Sequence, residues 1–371
     1  MDQNTHFNLI VLQPALPNYR LDFFNRLHAV YGQGLQVHFS GRDLGVLTAQ
    51  RPDLPWSVPL GRTIRLPLGL DWQENATRIR PAKGDVVVVS GAPKGLGNLC
   101  LMLRARVAGA HVVWWGHHHS PYTTPMRRRL REFVMKFSDQ LVFYTDREAE
   151  DYRNAATGGQ AMPAIGLNNG LNIDGIDPCR VPYRAERRGL DIAFMGRLTA
   201  KSQVGLLLAA LARCPDGFGR LHVIGDGDNL RALQQVATDL GIGPKVQWHG
   251  GMTDEGRIAA IVNRCRLFVY PGDIGLSLIH AMAYGLPIVI HDDMSRHMPE
   301  IAAFSQGRTG AVFARGSASD LGRVTCEMLD DTELLDRMSH ACLAVVAHTF
   351  RTSDMARRFV SMVDELRARK G

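Results

Sequence analysis

The chain has 371 residues, 45% of them hydrophobic and 21% charged, with a formal net charge of +7. That length exceeds one ordinary core and implies two domains, while the positive balance favours an anionic partner, whether phosphates, nucleic acid or an acidic membrane face. Six scattered cysteines without a Cys-x-x-Cys pair argue against a zinc or disulfide framework, and no apolar run reaches ~18 residues, so a soluble or peripheral, cytoplasmic protein is expected.

In chain order, an apolar run at 7–12 predicts the first strand and is too short for a signal peptide. A helix follows at 21–31 and a strand at 35–39. Strands at 85–90, 111–115 and 140–144 then alternate with helices at 96–108, 126–137 and 146–155. Residues 177–189 are polar, contain Pro178 and Pro182, and precede a fresh strand, which marks a domain break. Beyond it, strands at 191–195, 220–224, 246–249, 267–270 and 288–290 alternate with helices at 204–213, 228–240, 254–264 and 276–284. Helices at 319–330, 331–347 and 353–369 complete the chain. Such alternation predicts parallel sheets covered on both faces, hence an α/β fold of two doubly wound, Rossmann-like domains facing across a cleft. The expected domains are 1–183 and 184–350, with a terminal helix in 351–371. Ligands of open α/β sheets sit beyond the carboxyl ends of the strands, and a cleft between two domains is a natural site.

Chemistry-bearing residues gather at the strand ends of the second half. Strand 191–195 runs into Gly196-Arg197-Leu198-Thr199-Ala200-Lys201. A helix start with two fixed cations is a pyrophosphate site, and the plainer alternative is two solvated surface cations. Val223-Ile-Gly225-Asp-Gly-Asp-Asn-Leu230 is a strand, a tight turn and a capped helix start. It is not Gly-x-Gly-x-x-Gly and does not argue for a nicotinamide cofactor. Val246-Gln-Trp-His249-Gly250-Gly251 reads equally as a structural turn or as a pocket for a nucleobase. In Tyr270-Pro-Gly272-Asp273-Ile-Gly275-Leu276, the glycines let a ligand come close to the backbone. The helix beginning there offers free N–H groups to a phosphate or a sugar hydroxyl.

In the first half, Trp114-Trp-Gly-His-His-His-Ser120 follows a strand. Adjacent histidines cannot all face one point, which argues against a metal triad and leaves either a single histidine aimed into the cleft or incidental surface histidines. Helix 126–137 carries Arg127, Arg128, Arg129, Arg131 and Lys136 beside Leu130, Phe133, Val134 and Phe137. It either lies on anionic lipid or packs its apolar stripe on its own sheet. A nucleic-acid partner is not expected, because no recognised module is present.

Taken together these segments resemble the retaining family 4 glycosyltransferases of the GT-B fold, most strongly from Asp191 to Glu300. Leu16-Pro-Asn18-Tyr19-Arg20 is similar to the family's loop near donor and acceptor, and Gly116-His117 to its cleft histidine. Asn168-Asn-Gly-Leu-Asn-Ile-Asp174 is similar to its Asn-Gly-Val-Asp stretch. Gly196-Arg197 with Lys201 resembles its diphosphate clamp. Gly225-Asp-Gly, Gly250, Gly285-Leu-Pro and Pro299-Glu300-Ile fall in register with its later loops. The resemblance implies a terminal helix that crosses back to the first domain. It also implies transfer of a sugar from a UDP- or GDP-linked donor to a lipid-linked or polysaccharide hydroxyl, with retention and with neither cofactor nor metal. Arg197 and Lys201 would hold the leaving diphosphate and His117 the donor sugar.

The departures lie in one stretch. The family has two glutamates about two helical turns apart after strand 267–270, one for the donor sugar and one for the ribose. Gly272, beside Asp273, and His280 stand in those places here. An imidazole can bond a ribose hydroxyl, and Asp273 can replace the missing carboxylate. The clamp lysine falls one residue early, with Ser202 in its usual place. Two alternatives stay open: a nucleotide-sugar 2-epimerase of the same fold, whose typical motifs are absent, and a non-catalytic GT-B binding subunit.

Overall fold

A computed structural model describes residues 7–40, 53–91, 94–118, 125–155, 161–214 and 216–369, with the backbone alone at Leu68, Pro125 and Arg127. The chain divides into two compact units, one of Met1–Asn169 with Thr352–Gly371 and one of Gly170–Arg351. The first contains β1 (Leu9–Gln13), α1 (Leu21–Tyr31), β2 (Leu35–Ser40), β3 (Ser57–Gly61), β4 (Thr63–Arg65), β5 (Asp71–Gln73) and β6 (Val86–Ser90). It continues with α2 (Leu96–Ala108), β7 (His111–Trp115), α3 (Pro125–Met135), β8 (Gln140–Phe143), α4 (Asp146–Ala155) and β9 (Ala164–Gly166). The second unit contains β10 (Ile192–Met195), α5 (Val204–Leu211), β11 (Leu221–Ile224), α6 (Leu230–Asp239), β12 (Val246–Gly250), α7 (Glu255–Val262) and β13 (Leu267–Tyr270). Then come α8 (Leu276–Ala283), β14 (Ile288–His291), β15 (Gly310–Phe313), α9 (Ala318–Asp330) and α10 (Thr332–Thr349). The last helix, α11 (Thr352–Ala368), belongs to the first unit.

The first unit is built on a seven-stranded parallel sheet in the order β3-β2-β1-β6-β7-β8-β9. Successive side chains of a strand face opposite sides, and both sides are apolar here. Leu9 and Val11 enter one core with Phe23, Phe24 and Leu27 of α1 and Met355, Phe359 and Val363 of α11. Ile10 and Leu12 enter the other with Leu101 and Met102 of α2 and Ala149 of α4. Burial on both faces explains the uninterrupted run Val86–Val87–Val88–Val89, every residue of which is fully buried. Each such side chain contributes ~1.5–3 kcal/mol.

The second unit carries a six-stranded parallel sheet in the order β12-β11-β10-β13-β14-β15. Counted within the unit, that order is the doubly wound 3-2-1-4-5-6 arrangement, whose reversal lies between its first and fourth strands, β10 and β13. Residues 170–183, read from the sequence as the tail of the first domain, pack in this second unit. Ile173, Ile176 and Tyr183 join its core. The two crossings between units are tied together on this side, since Leu171 N–H donates to the Phe350 carbonyl at 3.0 Å and Arg351 donates to Asp177 at 2.8 Å.

Candidate functional site

The loops after β10, β11 and β13 converge at the reversal of the second sheet. Their glycines explain how. A Cβ on Gly225 would collide with the Gly196 carbonyl, and one on Gly272 with the Lys201 carbonyl. The sequence expectation that Gly272 opens space for a ligand is therefore revised: its small size lets two loops touch backbone to backbone. Gly275 faces Met298 at 3.1 Å and the Glu300 carboxylate at 3.6 Å, measured from where its Cβ would stand. Gly250 has open space around it, and its carbonyl accepts from Gly225 N–H at 2.8 Å.

Arg197 and Lys201 project from this junction. Both are exposed, and neither side chain makes an ion pair or a hydrogen bond among the described residues. Thr199 and Ser202 form a reciprocal cap around the short turn Ala200–Ser202 that carries Lys201. Ser202 Oγ donates to the Thr199 carbonyl at 2.7 Å and accepts from Thr199 N–H at 3.2 Å. Ser202 is 1% exposed, which accounts for a lysine at 201 instead of 202: a cation at 202 would be buried, whereas 201 is open. The Tyr270 ring stacks on Phe194 at 4.9 Å below the loop, and burial pushes its hydroxyl up to about 12.

The loop after β13 is held from within. Asp273 Oδ1 lies 3.3 Å from His291 Nε2 and its Oδ2 lies 3.7 Å from Arg296. Its carboxylate is thereby engaged on both oxygens, which gives Asp273, the residue expected to replace a sugar-binding carboxylate, a structural role within the loop. Ile274 N–H donates to His297 Nδ1 at 3.1 Å, and His297 Nε2 sits 3.0 Å from the His291 carbonyl. Those two bonds select the neutral tautomer with the proton on Nε2, and burial lowers His297 to about 4. The His291 and His297 rings stack at 3.9 Å. Glu300 is 5% exposed, near the start of α8, whose first residue is the half-buried Leu276.

Two further histidines in this unit are linked to carboxylates. His249 Nε2 lies 3.0 Å from His222 Nδ1, and His222 Nε2 lies 3.3 Å from Asp191. Burial and the neighbouring His222 both lower His249, so it is a neutral hydrogen-bonding group at the end of β12. His280 Nε2 lies 3.1 Å from Glu255 Oε2, so one of its two ring nitrogens is already engaged.

In the first unit His117 follows β7. Its Nδ1 lies 3.0 Å from Glu148 Oε1 and its side chain is 42% exposed; its ring rests on Tyr144 at 4.3 Å. A proton donated from Nδ1 to the carboxylate leaves Nε2 as an open acceptor. Glu148 is anchored in turn by Tyr144 N–H at 3.1 Å. His118 is a core residue, 3% exposed, against Phe143 and Tyr152. His119 lies outside the described residues. Asn18 and Tyr19 are exposed. Arg20, expected on the acceptor side, is 8% exposed and internally bonded: it donates to Asn169 at 2.8 Å and stacks over Trp115 at 4.9 Å.

Helix α3 turns Met126, Leu130 and Phe133 outward at 79%, 52% and 59% exposure, and Phe137, in the turn just after it, is 38% exposed, while Val134 and Met135 face the sheet. Arg128, Arg129 and Lys136 are exposed beside that stripe. Arg131 is not, since it is half-buried and donates to the His118 carbonyl at 3.2 Å. The side chain of Arg127 lies outside the described residues. The adjacent α2 exposes Leu103 and Val107 at 59% and 90%.

The fold defines a class: two Rossmann-like α/β units of the GT-B type. Residues 181–342, most of the second unit, match the family model of Glycosyl transferases group 1. The chain is similar over 144 residues, at 32% identity, to a glycogen synthase of Alkalilimnicola ehrlichii, covering 38% of this chain and 28% of that protein. It is 31% identical over 133 residues to a lipopolysaccharide 1,6-galactosyltransferase of Salmonella typhimurium, covering 34% of this chain and 36% of that protein. The match thus spans about a third of the length of these curated relatives. The crystal structure of Anabaena Alr3699/HepE in complex with UDP superposes with a TM-score of 0.73 over 97% of this chain and 100% of that one, at 16% identity, a likeness of fold.

Glu148, Glu255, His291 and His297 were not singled out from the sequence. Glu255 is 25 positions from His280 and Glu148 is 31 from His117, and pairing at that range follows from topology and leaves no local spacing to read.

Proposed function

We propose that this protein transfers a sugar, with retention of anomeric configuration, from a nucleotide diphosphate to an acceptor hydroxyl in surface glycan synthesis. The observation that carries the reading is the pair of exposed cations, Arg197 and Lys201, without a side-chain partner among the described residues, at the carboxyl end of the first strand of the segment that matches the group 1 glycosyltransferase model. Opposite charge fixed where the diphosphate departs stabilises the transition state more than the ground state. The leaving phosphate oxygen takes the acceptor proton on the same face, and no protein nucleophile is invoked. The two cations supply the charge that a divalent ion would otherwise bring, so the reading needs neither metal nor cofactor. His117, with Nδ1 held by Glu148, takes the donor-sugar role and presents Nε2 to a hydroxyl. His249, with Gly250, borders the nucleobase.

Two of the named relatives and neighbours motivate the substrates. The Salmonella protein's name includes lipopolysaccharide, which favours a lipid-linked acceptor, and the Anabaena structure contains UDP, which favours a uridine donor over a guanosine one. The test is a thermal-shift panel of UDP- and GDP-sugars followed by transfer to lipid-linked and polysaccharide acceptors. A ligand at 100 times its Kd adds ~2.7 kcal/mol. No shift and no transfer sinks the reading. Donor conversion without acceptor identifies an epimerase, and binding without transfer identifies a binding subunit.

The outward stripe of α3 supports a peripheral position on the cytoplasmic membrane face. No helix among the described residues is long and apolar enough to cross a membrane. Each basic residue near anionic lipid contributes ~1 kcal/mol. Replacing Arg127, Arg128 and Arg129 with Gln should therefore weaken binding to phosphatidylglycerol vesicles about a hundredfold in a sedimentation assay. Unchanged sedimentation removes α3 as the membrane face.

A further inference from the structure

At the position where the family's second glutamate is expected, His280 occupies α8, and a carboxylate reaches it from another element. Glu255 is the first residue of α7. All its side-chain hydrogen bonds fall on one oxygen: His280 Nε2 lies 3.1 Å from Oε2, and the Tyr284 hydroxyl donates to the same Oε2 at 2.8 Å. Tyr284 is fully buried and stands one helical turn beyond His280, so the two side chains grip Glu255 from a single face of α8. The other oxygen, Oε1, has no partner among the described residues, and the side chain is 27% exposed. Burial raises this carboxyl, but the bonds from His280 and Tyr284 outweigh it and hold Glu255 below the usual range. The start of α7 is itself pinned, since Asp254 accepts from Arg257 N–H at 2.8 Å.

A carboxylate fixed through one oxygen and open at the other is an acceptor waiting for a donor. In doubly wound sheets an acidic side chain beyond the carboxyl ends of the strands receives the ribose hydroxyls of a bound nucleotide. Resting on the nucleotide-sugar reading, we infer that Glu255 is the ribose-binding carboxylate of this protein, with His280 and Tyr284 as positioning residues that keep it aimed. The carboxylate absent from position 280 is thus supplied by α7, and the histidine acts through it.

Calorimetry with the full-length protein separates this role from a merely structural one. The probes are UDP, GDP and their 2′,3′-dideoxy counterparts. The wild type should bind one of the ribose nucleotides at least about tenfold more tightly than its dideoxy form, as loss of a hydrogen bond to a charged group requires. Glu255→Gln, nearly isosteric, should bring that ratio to within about twofold, and Glu255→Asp should keep part of it. A structural tie would weaken both nucleotides alike and leave the ratio intact. A tenfold ratio that persists in Glu255→Gln overturns the assignment, as does a wild type that binds both forms equally. A wild type that binds neither UDP nor GDP overturns the nucleotide reading and this assignment with it.

Discussion

In the loop that follows β10, Arg197 and Lys201 reach solvent without a partner among the described residues, whereas in the loop that follows β13 Asp273 is engaged by His291 and Arg296. The two loops touch, the Lys201 carbonyl lying against Gly272. Charged groups of the same sheet end are thus treated in opposite ways. A polar group bonded from within specifies the shape of a loop, and its removal is felt as lost stability. A charge left open at the end of a strand adds little to stability, and on the proposed reading its removal is felt by the diphosphate. One rigid loop supports one cationic loop.

The largest expected effect tests the open side of that contrast. Arg197→Ala should lower kcat/KM about 10²–10³-fold, the cost of removing one group aimed at developing charge. Its melting temperature should hardly move, because exposed substitutions stay within about 0.5 kcal/mol. A near-normal rate in a steady-state transfer assay would erase the distinction between the loops.

The second test addresses the engaged side. Burial lowers His297 from the ordinary 6.5 to about 4, so the folded state prefers the neutral ring. Its contribution is complete above pH 6.5 and is lost as pH falls toward 4, because the unfolded chain takes up the proton first. That difference corresponds to about 3 kcal/mol. Protonated Nδ1 can no longer accept Ile274 N–H, so the loop after β13 is what loosens. Urea denaturation between pH 7 and pH 4 should show this loss in the wild type and a flatter profile in His297→Gln, which cannot charge. Parallel profiles would show that His297 is not a neutral pin.

Legibility in the sequence divides along the same line. Helices α1, α2 and α4 follow the apolar periodicity to the residue, and the long internal strands were readable as unbroken apolar runs. β3, β9 and β15 were not, and each has a physical reason. β3 contains Pro59, tolerated because β3 is an edge strand. β9 is three residues at the opposite edge, and β15 begins with Gly310 at the edge of the second sheet. The hairpin of β4 and β5 pairs Thr63 with Gln73 outside either main sheet. The placing of Arg197 and Lys201 in the loop after β10 was legible because a loop after an apolar strand is a local pattern. The fates of Arg20, Asp273 and His280 were not, because their partners Asn169, His291 and Glu255 come from distant segments. Residue type announces that a group is polar, and only the assembled loops decide whether it is already bonded.

The smallest expected effect probes where the two behaviours meet in one loop. Ser202 belongs to the cationic loop yet is bonded from within, capping the turn that carries Lys201. Ser202→Ala removes a donor to the Thr199 carbonyl and an acceptor for its N–H, at a cost of about 1 kcal/mol. That should lower the melting temperature by about 2–4 °C. The transfer rate should fall only a few-fold, since Arg197 remains and Lys201 merely gains freedom. Calorimetric melting and steady-state kinetics on one preparation read both quantities. A rate loss as large as that of Arg197→Ala, with unchanged melting, would place the Ser202 hydroxyl on the diphosphate instead of in the turn, and the division between bonded and open groups would then fail within this loop.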